Sequence, residues 1–163
     1  MSKVEILESK IEEKKEANGK SVMGKRSRAA GARFELKVRK DLEEKGWITD
    51  KWTKNVDLET RKTIPAKRKF NPFKKVLGIG TGFPDFIAFR PVVDPTEKKR
   101  FHNYNVIGVE SKMRGILDKK EKEKCRILLE NNTFKDIYLA RKGEKLGEIE
   151  YINFLTKEKD SLF

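Results

Sequence analysis

Cysteine is all but absent from this chain: Cys125 is the single one in 163 residues. No intrachain disulfide can form, which excludes a cross-linked secreted scaffold and makes the reducing, cytoplasmic interior the expected setting. Histidine is equally scarce, and the lone His102 sits in a polar turn where it reads as solvated rather than as a ligand. No apolar run approaches the roughly 20 residues that would span a bilayer, so no membrane partner is expected. The opening MSKVEILESKIEEKKE has no apolar block of signal-peptide type, and export is not expected. Glutamine is missing altogether while Lys and Glu abound, a composition that leans towards a hot environment.

What the chain has in quantity is positive charge. There are 39 Lys+Arg against 26 Asp+Glu, a formal net charge of +13. The excess is uneven. Residues 17–40 hold eight basic residues against Glu35 alone, a sum of +7, and residues 61–80 hold seven with no acid, again +7. Residues 1–16 sum to −1 and residues 41–60 to −3. Two short blocks therefore carry more than the whole net charge, and a polyanion is the natural partner, nucleic acid above all. A pair of solubilising loops is the bland alternative.

The hydrophobic pattern predicts a domain of moderate size. Val4, Leu7 and Ile11 give residues 3–16 a narrow amphipathic stripe, ended by Asn18-Gly19. A stronger helix carries Phe34, Val38 and Leu42 four apart and stops at Gly46. WITDKWT alternates as a strand, and residues 61–82, with two Pro and three Gly, read as a basic, mobile loop. FIAF and YNVIGVESKM follow as strands, with a turn at Asp94-Pro95 between them. Asp118 caps a helix that buries Cys125, Leu128 and Leu129, and DIYLA and IEYINFL close the domain around a Lys142-Gly143 turn. The expected organisation is an N-terminal helical arm, 1–24, and one α/β (α+β) domain, 25–163, with a mixed central sheet and the basic loop 61–82.

Two acids stand in unusual places. Asp85 directly precedes the FIAF strand, and Glu110 ends the next one, two residues before Lys112. If these strands are antiparallel, the start of one meets the end of the other. Residues two apart share a strand face, so Glu110 and Lys112 converge on Asp85. Two carboxylates and an ammonium are what a hard-cation phosphodiesterase site requires: carboxylates for Mg²⁺, and a lysine to place the attacking water or steady charge on the phosphate. The bland reading makes Asp85 a turn cap, Glu110 and Lys112 a cross-strand salt pair and Glu35 an exposed helix residue. A carboxylate flanked by strand apolars, however, needs a partner once buried.

These residues resemble the PD-(D/E)XK nuclease signature: Pro84-Asp85 for the PD and Glu110-Ser111-Lys112 for the (D/E)XK. Within that superfamily the chain is most similar to archaeal Holliday-junction resolvases. It shares with them a helix-borne Glu35 before the first strand and a Gly-rich stretch before the PD, here GIGTGFPD. The resemblance covers roughly residues 25–142 and implies a restriction-endonuclease-like αβββαβ core. It implies Asp85, Glu110, the Ser111 carbonyl and Glu35 as the metal set, Lys112 as the catalytic lysine, and Mg²⁺ as cofactor with Mn²⁺ able to substitute. The helix position that often carries Gln or Lys would fall to Lys119, Lys122 or another helix lysine. The implied activity is a metal-dependent DNA endonuclease, structure-selective in the Holliday-junction manner and working as a homodimer. Arg26, Arg28 and Arg33, with Lys67, Arg68, Lys69, Lys74 and Lys75, would contact DNA phosphates, and Phe70 and Phe73 would stack on bases or pin the loop. The basic insert is longer than such resolvases carry. A general duplex or nicking nuclease of a virus or mobile element, and a non-catalytic DNA-binding protein on a nuclease fold, are the alternatives.

Overall fold

The computed structural model describes the backbone of residues 3–72, 75–78, 82–92 and 103–160, with the side chains from residue 22 onward except 69 and 71. The expectations placed on the side chains of Val4, Leu7, Ile11 and Lys69, on Phe73, Lys74 and His102, and on the Asp94-Pro95 turn lie outside the described residues.

The first element is one helix, α1, over Lys3–Glu44. It runs through Asn18-Gly19, where the sequence reading had ended it. One glycine costs only about 1 kcal/mol in a helix, and the flanking Glu, Lys, Arg and Ala are good helix formers. The helix ends where Gly46 takes a positive φ of 80° and the Trp47 N–H donates to the Leu42 carbonyl at 3.0 Å, a left-handed terminus. The chain divides into two compact units within this helix, Met1–Phe34 and Glu35–Phe163.

The second unit is built on β1 (Ile48–Lys51), β2 (Lys54–Asp57), β3 (Lys62–Pro65), β4 (Lys69–Asn71), β5 (Val76–Gly78), β6 (Phe86–Val92), β7 (Asn103–Ser111), α2 (Lys119–Glu130), β8 (Asp136–Lys142) and β9 (Ile149–Asn153). Five strands form one mixed sheet in the order β1-β6-β7-β8-β9. Every pair is antiparallel except β7 with β8, because α2 crosses between those two and returns the chain in the same direction. The architecture is α+β with a mixed sheet, as composition and element order predict.

The sheet is covered on both faces. Ile137 and Leu139 of β8 join Cys125, Ile127 and Leu128 of α2, with Phe134 and Phe154, in one apolar cluster. Strand alternation sends Tyr138 and Ala140 to the other face, and both are buried. Val38 and Leu42 of α1 are fully buried, and the Tyr151 hydroxyl donates to Asp41 at 2.7 Å, joining β9 to α1. α2 starts at a capping box, with the Asp118 side chain accepting from the Glu121 N–H and the Glu121 side chain accepting from the Asp118 N–H.

Residues 61–82 are not a featureless loop. They supply β3 to one hairpin, with β2, and both strands of a second, β4–β5. Such small ladders rest on backbone pairing, which leaves little apolar periodicity to read. The first hairpin is fastened to α2: Val56 is buried in the apolar cluster, Arg61 bridges Glu123 at 3.1 Å and Glu130 at 2.5 Å, and the Asn131 amide donates to the Arg61 carbonyl. The excursion between β1 and β6 is closed at its neck. The Trp52 N–H donates to the Asp85 carbonyl at 3.1 Å, and the Phe83 N–H to the Lys54 carbonyl at 2.9 Å.

Candidate active site

The antiparallel register of β6 and β7 pairs Phe86 with Val109. Asp85, one residue before β6, therefore stands beside Glu110, one residue past Val109. The two are locked reciprocally: the Asp85 N–H donates to Glu110 Oε2 at 3.0 Å, and the Ser111 N–H donates to Asp85 Oδ2 at 2.9 Å. Each carboxylate is thus aimed by the other's strand. Lys112 reaches the same point, with its Nζ 3.3 Å from Glu110 Oε1 and 2.5 Å from Glu121 Oε1.

Two glycines make this approach sterically possible. A Cβ on Gly108 would stand 2.8 Å from Pro84 Cγ and 3.2 Å from the Phe134 ring. A Cβ on Gly82 would fall 2.1 Å from the Trp52 carbonyl oxygen and 2.4 Å from that of Lys54. A larger residue at Gly108 would push Pro84 away from β7, and one at Gly82 would push the chain off the Trp52–Lys54 backbone that closes against it.

Burial sets the electrostatics. Glu110 is 5% exposed, and burial, then the charge of Asp85, push its carboxyl up to about 8 against the opposing pull of Lys112. Burial also raises Asp85, while hydrogen bonding from Ser111 and the charges of Lys112 and Lys51 oppose it. Glu35, half-buried on α1, is raised by burial and next by the Asp85 charge, with Lys51 and Lys112 opposing. Burial pulls Lys112 down, but the hydrogen bond to Glu121 and the charges of Glu110 and Glu121 outweigh it and leave the ammonium above its usual value. Three acids whose protonation is held up beside one firmly charged lysine form a locus that a cation would relieve.

Asp85, Glu110, Ser111 and Lys112 are brought into direct contact, and Glu35 lies within reach of their charges. Among the described residues no three His, Cys, Asp or Glu side chains gather as a ready-made metal cage. Sequence reasoning missed two participants. Glu121, rather than Lys119 or Lys122, is the α2 residue that reaches the site, and those two lysines are exposed; the Asp118-x-x-Glu121 capping-box spacing was the available signal. Lys51 acts on Glu35 and Asp85 because β1 pairs it with Phe86, next to Asp85.

The described residues among the expected phosphate contacts are all exposed. Arg26, Arg28 and Arg33 are exposed on the first unit, where the Arg28 guanidinium donates to the Gly24 carbonyl. Lys67, Arg68 and Lys75 are exposed on the excursion of the second unit. Trp47 and Trp52 are packing residues: the Arg90 guanidinium lies 4.4 Å over the Trp47 ring, and Trp52 meets Phe134 edge-on at 5.0 Å. Cys125 is fully buried, and burial pushes its thiol up to about 12.

Comparison of the chain with protein-family models, with curated proteins and with solved structures finds no match. No helix of the described residues is long and apolar enough to cross a membrane.

Proposed function

We propose that this chain is a divalent-metal-dependent endonuclease that hydrolyses phosphodiester bonds in DNA and works as a homodimer. One observation carries the reading: the reciprocal hydrogen bonds that hold Asp85 against Glu110 at the β6–β7 edge, with Lys112 in the same cluster. The element order α1, β1, β6, β7, α2, β8 is compatible with a restriction-endonuclease-like core.

The donor set fits Mg²⁺. This small, hard ion keeps several waters and is commonly held by one or two carboxylates plus substrate phosphate, so the buried Glu110 and half-buried Asp85 suffice without a third carboxylate. Asp85 and Glu110 would hold it with the Ser111 carbonyl, and Mn²⁺ would be taken by the same oxygens. Bound there, the ion would polarise the scissile phosphate and acidify its water. Lys112, gripped between two carboxylates, stays a cation and steadies charge developing on the phosphate oxygens. Glu35 orients water from the α1 side, and Glu121 fixes where the lysine stands. The exposed basic residues hold the DNA backbone, which makes binding steeply salt-dependent and largely blind to sequence.

The test is nicking of supercoiled plasmid with Mg²⁺ by the wild type, Asp85→Ala and Glu110→Ala. The expected result is cleavage by the wild type and a loss of about two orders of magnitude or more in each variant. Equal cleavage by all three would remove the site. No cleavage of any DNA form by the wild type would favour a DNA-binding protein without hydrolysis. A four-way junction compared with linear duplex of the same sequence separates a structure-selective enzyme from a general one.

A further inference from the structure

We infer that the β4–β5 hairpin is a base-contacting prong, one that engages DNA where a base face is uncovered: at a nick, gap or branch point. The inference rests on the reading of the chain as a DNA-acting enzyme and names the feature of DNA that this part of it recognises.

Phe70 and Leu77 are direct cross-strand partners in the hairpin, so their side chains stand together on one face, about 5 Å apart at Cβ. Both are open to solvent, Phe70 at 62% and Leu77 at 55%, and Val76, whose side chain alternates to the opposite face, is 52% exposed. Two large apolar side chains on one face of a ladder this short form no core of their own. Residues 61–80 contain no acid, and exposed Lys67, Arg68 and Lys75 flank the strands.

An exposed apolar pair flanked by cations fits a polyanion that offers flat apolar faces between its charges, which is what a nucleic acid offers. An aromatic ring stacks on a base of any identity, and an apolar wedge that enters an intact base step must first overcome its stacking, about a few kcal/mol, which an interrupted step has already lost. Intact duplex exposes no base face, so the prong adds affinity only on interrupted or branched DNA, while the lysines and Arg68 add it everywhere. An anionic membrane shares part of this chemistry. Surface-bound segments, however, bury a continuous apolar helical face, and two or three side chains on a short hairpin supply far less.

The test is fluorescence anisotropy with the chain in EDTA, so that nothing is cut, on a gapped duplex, a four-way junction and intact duplex of the same sequence. Phe70→Ala is expected to weaken binding to the gapped and branched DNA by about 5- to 150-fold, the range for loss of one base–aromatic stack. On intact duplex it should change binding less than twofold. Phe70→Trp is expected to bind at least as tightly as the wild type, and Lys67→Ala to weaken all three DNAs alike. Because Phe70 is exposed, circular dichroism of both variants should match the wild type. Equal losses on all three DNAs, or no loss on any, would overturn the prong. So would Phe70-dependent binding to phosphatidylserine vesicles with DNA affinity unchanged. Absence of DNA binding by the wild type would instead remove the DNA-acting reading itself.

Discussion

Replacing Glu110 by Gln should abolish cleavage and yet stabilise the metal-free protein, by an amount that grows with pH. Glu110 is 5% exposed and its carboxyl is held at about 8, against an ordinary value of 4.5. Below about pH 4.5 the group is protonated in both folded and unfolded chains and has no effect. Between 4.5 and 8 the unfolded chain releases the proton and the folded chain keeps it, so stability falls as pH rises, by at most 1.36 kcal/mol per unit. The full interval corresponds to about 5 kcal/mol as an upper bound. Relaxation around the buried charge, and mutual repulsion with Asp85 that is shared between the two acids, bring the expected figure to roughly 2–3 kcal/mol. Glutamine keeps the acceptor for the Asp85 N–H, carries no charge and loses only the 3.3 Å contact to Lys112, which retains Glu121.

Urea unfolding of wild type and Glu110→Gln in EDTA at pH 5, 6, 7, 8 and 9 measures the difference directly. The two should be nearly equal at pH 5 and separate steadily to pH 8, with the variant the more stable. Added Mg²⁺ should then recover stability in the wild type alone, about 2.7 kcal/mol at a hundred times its dissociation constant. Parallel stability curves, or a variant that is weaker at every pH, would refute the claim that Glu110 is a buried acid held for a cation.

Gly108→Ala should cost about 1–3 kcal/mol by overpacking against Pro84 and Phe134, and should lower cleavage beyond what the lost stability explains, checked by comparing denaturation midpoints with nicking rates. Glu121→Ala leaves Lys112 only its longer contact to Glu110 and loses one side of the α2 cap; turnover should fall about tenfold or more, while Glu121→Gln, which keeps the cap acceptor, should be the milder of the two in both melting temperature and rate. Tyr151→Phe removes the buried hydroxyl that donates to Asp41, with an expected loss of about 1 kcal/mol in chemical denaturation and no change in cleavage. Cys125 should resist a thiol reagent in the native state and react only on unfolding, since its thiol is both buried and held protonated.

The sheet and the acid pair were legible because each left a local mark. Alternation in FIAF and YNVIGVESKM set the strands, and antiparallel pairing of neighbours was enough to bring Asp85 to Glu110. What escaped depends on long-range packing. Arg61 looks like one more cation of a basic loop, and only the fold shows it bridging Glu123 and Glu130. The two hairpins carry little apolar period, so Pro and Gly dominated the reading of 61–82. Asn18-Gly19 has the chemistry of a helix stop, yet the helix formers on either side prevail. Glu121 is an ordinary helix acid until α2 is docked, and Lys51 an ordinary strand lysine until β1 is paired with β6.

The closed neck of the excursion between β1 and β6 makes its outer part, residues 67–78, an exchangeable cassette. The excursion leaves and re-enters the sheet at hydrogen-bonded neighbours, Trp52 and Asp85, and its first hairpin is fastened to α2, so the core register is indifferent to how much chain lies beyond that hairpin. Doubling the length of such a closed loop costs only about 0.6 kcal/mol in chain entropy. Grafting a different hairpin between Lys67 and Gly78 should therefore leave the sheet and the acid pair in place. Substrate choice and bond cleavage would then be separable by descent as well as by engineering: one can drift by insertion and deletion while the other stays fixed.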